Sequence, residues 1–187
     1  IGKLQYRNGK IDKENAELVE EKAKILQKLY ASVNDCFASL YSGGVLTEEQ
    51  ASQSAGMQYI LCDIDRIGQL TREIMETVAK QNKGKHKYSK DALKELKKAM
   101  EQIQMIYGSC IQAISGDVNM DIKELMRQKE DIMQLGEKMR KNHIARVGKR
   151  KCDSKLTIPF NDVLHNIDRI GNSCVNLVEV AKENVTM

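Results

Sequence analysis

Apolar residues recur along this chain at alternating steps of three and four, with charged and polar residues between them, which is the pattern of amphipathic helices. Between about Asp12 and Tyr41, Leu26, Leu29, Val33, Cys36 and Leu40 share one face, and Ser42-Gly43-Gly44 supplies a stop. Thr47-Glu48-Glu49-Gln50 reads as a capping box that opens a second helix, continuing to about Gln81. A third helix, from Ser89 to about Ser115, carries the seam Leu93, Leu96, Met100, Ile103, Tyr107, Cys110 and Ile114 and is stopped by Gly116. The fourth runs from about Val118 to Val147 on Val118, Ile122, Leu125, Ile132, Gly136 and Met139. The fifth spans about Pro159 to Asn184, with Pro159 in the first turn, where a missing N–H costs nothing.

The second and fifth helices share more than a period. Ile-Asp-Arg-Ile-Gly occurs at Ile64 to Gly68 and again at Ile167 to Gly171, 103 positions later. The stripe Ile60, Ile64, Ile67, Thr71, Ile74, Val78 recurs at the same shift as Val163, Ile167, Ile170, Cys174, Leu177, Ala181. Both step 4, 3, 4, 3, 4, so the two helices come from one duplicated unit. Gly68 and Gly171 stand at the same register, and a glycine inside a helix, which costs about 1 kcal/mol relative to Ala, points to close approach of a neighbouring helix.

Composition narrows the class to all-α. One proline, twelve glycines and 4% aromatics among 187 residues leave little material for a β-fold, while Leu, Ile, Met and Ala suit long packed helices joined by short turns. No window approaches 18 consecutive apolar residues, so no segment of this sequence reads as a membrane span. The chain begins with Ile, and we expect it to be a piece of a longer protein. Five cysteines lie far apart without a C-x-x-C pair, which favours a reducing compartment, and Cys36, Cys110 and Cys174 are expected as small core residues.

Candidate chemistry is sparse. Asp162-x-x-His165 is a single acid–histidine turn where a di-iron bundle needs two, with two further glutamates. Phosphate-cradling glycine loops and H-E-x-x-H are absent. His143 continues the fourth seam, and no nucleophile pattern accompanies it, so a hydrogen-bonded structural histidine is the expectation and no enzymatic role is assigned. Asp65-Arg66 and Asp168-Arg169 are the distinctive polar groups. Either each arginine pairs with a carboxylate on an adjacent helix, or Asp65 and Asp168 offer oxygens to a cation.

The net charge of +4 is concentrated. Residues 80–90 hold five lysines and no acid, and residues 141–155 hold six Lys or Arg against one Asp. Alternate turns of an up-and-down bundle lie at one end, so Lys83, Lys85, Lys87, Lys149, Arg150 and Lys151 should crowd together there. Such an end could hold phosphate groups or an anionic membrane surface, or simply be solvated. Few aromatics are available for base stacking, and nucleic acid is not expected as a partner.

Asn161-Asp162-x-Leu-x-Asn166-Ile-Asp168-Arg-Ile-Gly171-Asn172-x-Cys, preceded by Asn142-His143-Ile-x-Arg146 and Cys152, resembles the end of the PhoU-like domain. In particular it is similar to the version fused to bacterial sodium/phosphate cotransporter family proteins. The resemblance covers essentially the whole chain and implies tandem three-helix bundles. Residues 1–82 would be a first repeat lacking its opening helix, and residues 89–187 a complete second repeat. It further implies a non-catalytic regulatory or docking domain on the cytoplasmic face of the membrane, tied to phosphate transport. Its implied partners are the transport domain of the same polypeptide, inner-leaflet anionic lipid or an acidic protein, and a second copy of the chain.

Relatives of this type that bind iron or zinc clusters carry a second acid four residues after the first. Gln69 and Asn172 stand there instead, so no cofactor is expected, although Asp65, Asp168, Asp131 and Glu130 are the ligand candidates. A stand-alone metal-dependent PhoU-type adaptor that represses phosphate signalling is the alternative, and a structural helical scaffold the second.

Overall fold

Each helix starts and stops where side chains or a turn can satisfy the backbone groups left unpaired at its ends. At Thr47 the capping box forms in both directions: Gln50 N–H donates to Thr47 Oγ1 at 3.2 Å, and Thr47 N–H donates to Gln50 Oε1 at 3.0 Å. Ser89, in extended conformation, accepts from Ala92 N–H and caps the third helix. Gly44 adopts φ 63° at the stop after Ser42, a conformation that costs glycine little. In this computed structural model, residues 6–7, 10–11, 13–44, 46–83, 88–115 and 122–185 are described.

The helices are α1 (Lys13–Ser42), α2 (Glu48–Lys83), α3 (Lys90–Ile114), α4 (Ile122–Gly148) and α5 (Thr157–Val185). The all-α class holds, with boundaries within a few residues of those expected; Val118 and Gly116 lie outside the described residues. One turn of 3₁₀-helix, Ser154–Leu156, leads into α5 and moves its start ahead of Pro159. A minor departure is a strand pair of two residues each, β1 (Tyr6–Arg7) and β2 (Lys10–Ile11), antiparallel with Tyr6 opposite Ile11. Asn8-Gly9, a favoured hairpin dipeptide, separates them in sequence.

α3, α4 and α5 pack on one another, α1 packs on α2, and the most extensive contact in the chain joins α2 to α5. The two helices that carry the repeated pentapeptide are therefore partners. They run antiparallel: Asn166 Nδ2 donates to Glu73 Oε2 at 3.0 Å, while Thr77 and Lys80 share a pocket with Asp162 and His165. Five residues before Glu73 is Gly68 and five after Asn166 is Gly171, so the two glycines sit at one level. A shift of 103 positions thus exchanges α2 and α5 about that level, as a two-fold axis between them would.

The same shift relates their neighbours. A Cβ at Gly68 would collide with Cδ2 of Leu26 on α1, and a Cβ at Gly171 would lie 3.6 Å from Cγ of Lys129 on α4. Leu26 and Lys129 are themselves 103 apart. Of these two glycines, Gly68 is the one that close approach requires, because an added carbon there would force its neighbour to move.

The core follows the expected stripes on α2, α3, α4 and α5. Ile67, Thr71, Ile74 and Val78 face Val163, Ile167, Ile170, Cys174 and Leu177 within one buried cluster that also takes in Leu96, Ile103, Cys110, Leu125, Ile132 and Met139. α1 departs from expectation. Leu26 turns toward α2, but Leu29, Val33 and Leu40 are exposed, and Cys36 is an exposed thiol where a core residue was expected. α1 carries two apolar faces side by side, and the one that packs on α2 runs through Leu26, Tyr30 and Phe37.

Ile67 and Ile170 retain only 4% and 1% of their accessible surface. Truncating either to Ala removes three methyl(ene) groups from a closed seam, and Ile67→Ala or Ile170→Ala should each destabilise by about 2–5 kcal/mol in denaturant unfolding. An unchanged midpoint in both variants would show that this seam is not the core.

Candidate functional site

The residues of the Asn142-His143-x-x-Arg146 motif converge where α4 ends, beside the first turns of α3 and α5. Asn142 and Arg146, four apart and so on one face of α4, clamp a single carboxylate on α3. Asn142 Nδ2 donates to Glu95 Oε1 and Arg146 Nη2 to Glu95 Oε2, both at 2.7 Å. This ion pair is largely enclosed, and the shared carboxylate leaves neither oxygen unpaired. Glu95 carries no signal in the sequence beyond lying on the flank of the α3 seam.

His143, between those two, is buried. Its ring stacks on Phe160 at 4.5 Å between centroids and 13° between planes. Nε2 lies 3.2 Å from Thr157 Oγ1 and Nδ1 lies 3.9 Å from Cys152 Sγ. Tyr88, just before α3, also packs against Phe160, its ring tilted by 56°. Burial pushes the imidazole pKa below its ordinary value; Arg146 pushes in the same direction and Glu95 opposes it. The group is thus tied to both neighbours across the α4–α5 connection, and it sits beneath the basic turn.

That turn has a defined shape. Lys151 N–H donates to Arg146 C=O at 2.8 Å and Arg150 N–H to Val147 C=O at 2.9 Å, the paired bonds of a Schellman ending. Such an ending requires a left-handed residue, and Arg150 occupies it at φ 54° where glycine is the usual occupant. Lys149, Arg150 and Lys151 are all exposed. Lys83 is the last residue of α2, whose C-terminal turns adjoin the start of α5. Lys85 and Lys87 lie outside the described residues.

The acidic candidates are dispersed. Asp65 accepts from Gln69 Nε2 on its own helix and lines a crevice with Ala23, Leu26 and Gln27 of α1. Asp168 is half-buried on the α4 side of α5, beside Gly136, Glu137 and Arg140, and its Oδ1 has no hydrogen-bond partner among the described residues. Asp131 pairs with Arg127 at 3.2 Å and Glu130 accepts from Gln134 at 3.0 Å, both bonds within α4. Arg66 and Arg169 have no ion-pair partner among the described residues.

Among the described residues no group of three His, Cys, Asp or Glu side chains is placed to hold a metal ion. The donor set does not fit a multinuclear cluster, because Asp65 and Asp168 belong to separate crevices and Gln69 spends its amide on Asp65. Among the described residues no helix is long and apolar enough to cross a membrane. Comparison of the chain with protein-family models, with curated proteins and with solved structures finds no match.

The depressed pKa of His143 makes folding pH-dependent with a definite sign. The folded protein binds this proton less readily than the unfolded chain, whose histidine titrates near 6.5, so the contribution is fully present above that pH. It is lost as pH falls through about 6.5 and below. Denaturant midpoints measured from about pH 8 to about pH 5 should fall more steeply for the native chain than for His143→Gln. Parallel curves would show that the buried imidazole is not the group responsible.

Proposed function

We propose that the chain is a non-catalytic PhoU-like regulatory or docking domain of a sodium-dependent phosphate cotransporter, held at the cytoplasmic face of the membrane. The observation that carries this reading is the spatial form of the duplication. α1 lies on α2 as α4 lies on α5, and the two Ile-Asp-Arg-Ile-Gly segments meet at one level of an antiparallel seam. That arrangement suits tandem bundles in which residues 1–82 and 89–187 are repeats, the first without its opening helix.

The domain's work, on this reading, is mechanical and electrostatic. Its long helices transmit position, and its basic end offers a surface to anionic lipid or to an acidic protein. The turn at residues 149–151 supports this role, since a left-handed arginine sacrifices stability to keep three consecutive cationic side chains in solvent. The Glu95–Arg146 pair and the His143 cluster beneath it hold that turn in place. Membrane-spanning helices in the same reading frame would favour the transporter reading over a stand-alone PhoU-type adaptor.

Sedimentation with lipid vesicles tests the electrostatic part. Binding should require anionic lipid and weaken with salt as the Debye length shrinks. Each Lys or Arg near such a surface contributes about 1 kcal/mol, so replacing Lys149, Arg150 and Lys151 by Gln should weaken binding on the order of a hundredfold. Arg150→Gly alone should raise folding stability by about 1 kcal/mol while weakening binding about fivefold. Equal binding to neutral vesicles, or none at low salt, would remove the membrane-facing role.

A further inference from the structure

Two isoleucines stand open to solvent beside the basic turn between α4 and α5. Ile144, near the end of α4, is 66% exposed, and Ile158, in the first turn of α5, is 73% exposed, more than any other Leu, Ile or Val among the described residues. Their side is fixed by the residue before each. His143 and Thr157 face each other across the antiparallel pair, with Nε2 3.2 Å from Oγ1. The next residue lies about 100° further round each helix, and because the helices run in opposite directions both rotations lead to the same side. That side points away from α3, since Asn142, about 100° the other way, reaches Glu95. Ile144 and Ile158 therefore stand side by side on axes about 8–10 Å apart.

A ring of exposed cations surrounds them. Lys141 lies one turn before Ile144, Lys149, Arg150 and Lys151 follow the end of α4, and Lys155 just precedes α5. The acids stand apart from this ring: Asp162 is one turn beyond Ile158, Glu137 two turns before Ile144, and Asp153 accepts the Lys155 N–H inside the turn. We propose that Ile144 and Ile158 enter the acyl boundary of an anionic bilayer while these cations meet its headgroup phosphates. Insertion rests on the electrostatic role proposed for this end, and it selects lipid over an acidic protein.

Two features make that selection. A single exposed isoleucine would mean little, but an aliphatic pair inside a cationic ring combines the two contributions that hold a protein at a bilayer surface, inserted apolar area and attraction to anionic lipid. The second is the kind of cation. Lysine is depleted and arginine enriched where proteins meet proteins, whereas Lys141, Lys149, Lys151 and Lys155 here outnumber Arg150. Long lysine stems also let the ammonium groups reach phosphates while aliphatic neighbours lie deeper.

The chain contains no tryptophan, so Ile158→Trp supplies a single fluorescent reporter. Its emission should shift to the blue on vesicles of phosphatidylglycerol in phosphatidylcholine and be quenched by lipid brominated on the acyl chains. Met105→Trp, at a site 60% exposed on α3 and about 20 Å from that helix's first residue, should show neither effect. Ile144→Ser with Ile158→Ser should weaken vesicle binding on the order of a hundredfold, and the loss should persist at high salt, where attraction between charges is screened. Undiminished binding of the double variant, with unshifted Trp emission, would overturn insertion and leave the charge attraction standing. Absence of binding by the native chain at low salt would remove the electrostatic role and insertion with it. An equal blue shift on soluble polyglutamate, without quenching by brominated lipid, would assign the pair to an acidic protein instead.

Discussion

The antiparallel seam between α2 and α5 is the contact on which the remaining packing depends. Apolar stripes with a 4, 3, 4, 3, 4 step run along both helices, and they close on each other at the level of Gly68 and Gly171. Because α5 also contacts α3 and α4, and α2 also contacts α1, every other helix is attached to the chain's core through one member of this pair. Burial of Ile67, Leu70, Ile74, Ile170, Cys174 and Leu177 supplies the non-directional attraction. The bond from Asn166 to Glu73 adds a directional constraint on the register, since a slip along either helix would break it.

The two halves built on this seam are unequal. α5 is enclosed by α2, α3 and α4, and the polar groups around it are correspondingly specific: Glu95 held by two donors, His143 stacked on Phe160, Asp168 half-buried with one oxygen unpartnered among the described residues. α2 packs mainly on α5 and α1, with a brief contact from β2. Leu29, Leu40 and Met57 remain in solvent on α1 and α2 at positions whose counterparts, Ile132, His143 and Phe160, are buried. Among the described residues a duplicated sequence has thus produced one closed environment and one more open one.

Much of the fold was legible in one dimension. Local chemistry at Thr47, Ser89 and Ser42-Gly43-Gly44 determines helix ends, and the structure forms those caps as the residue types require. The stripes on α2 through α5 were readable because each of those helices has a single apolar face. α1 has two, and period alone cannot say which is covered, which is why Cys36, expected as a core residue, lies with Leu29, Val33 and Leu40 on an exposed face. The clamp on Glu95 was invisible for a different reason: its partners lie 47 and 51 positions away, and no local pattern marks the acid that answers Asn142 and Arg146. Arg150 was counted only as a charge, because a left-handed conformation at a non-glycine residue leaves no trace in sequence.

Native-state hydrogen exchange, followed amide by amide at low protein concentration, tests the central place of the α2–α5 seam most directly. Helices that share one buried seam open together, and those with exposed faces open earlier. The account predicts that the interior amides of α2 and α5 around Gly68 and Gly171 exchange last and in a common step, with α1 released beforehand. Exchange of α2 together with α1, while α5 stays protected with α3 and α4, would contradict it and show two independent units that merely touch.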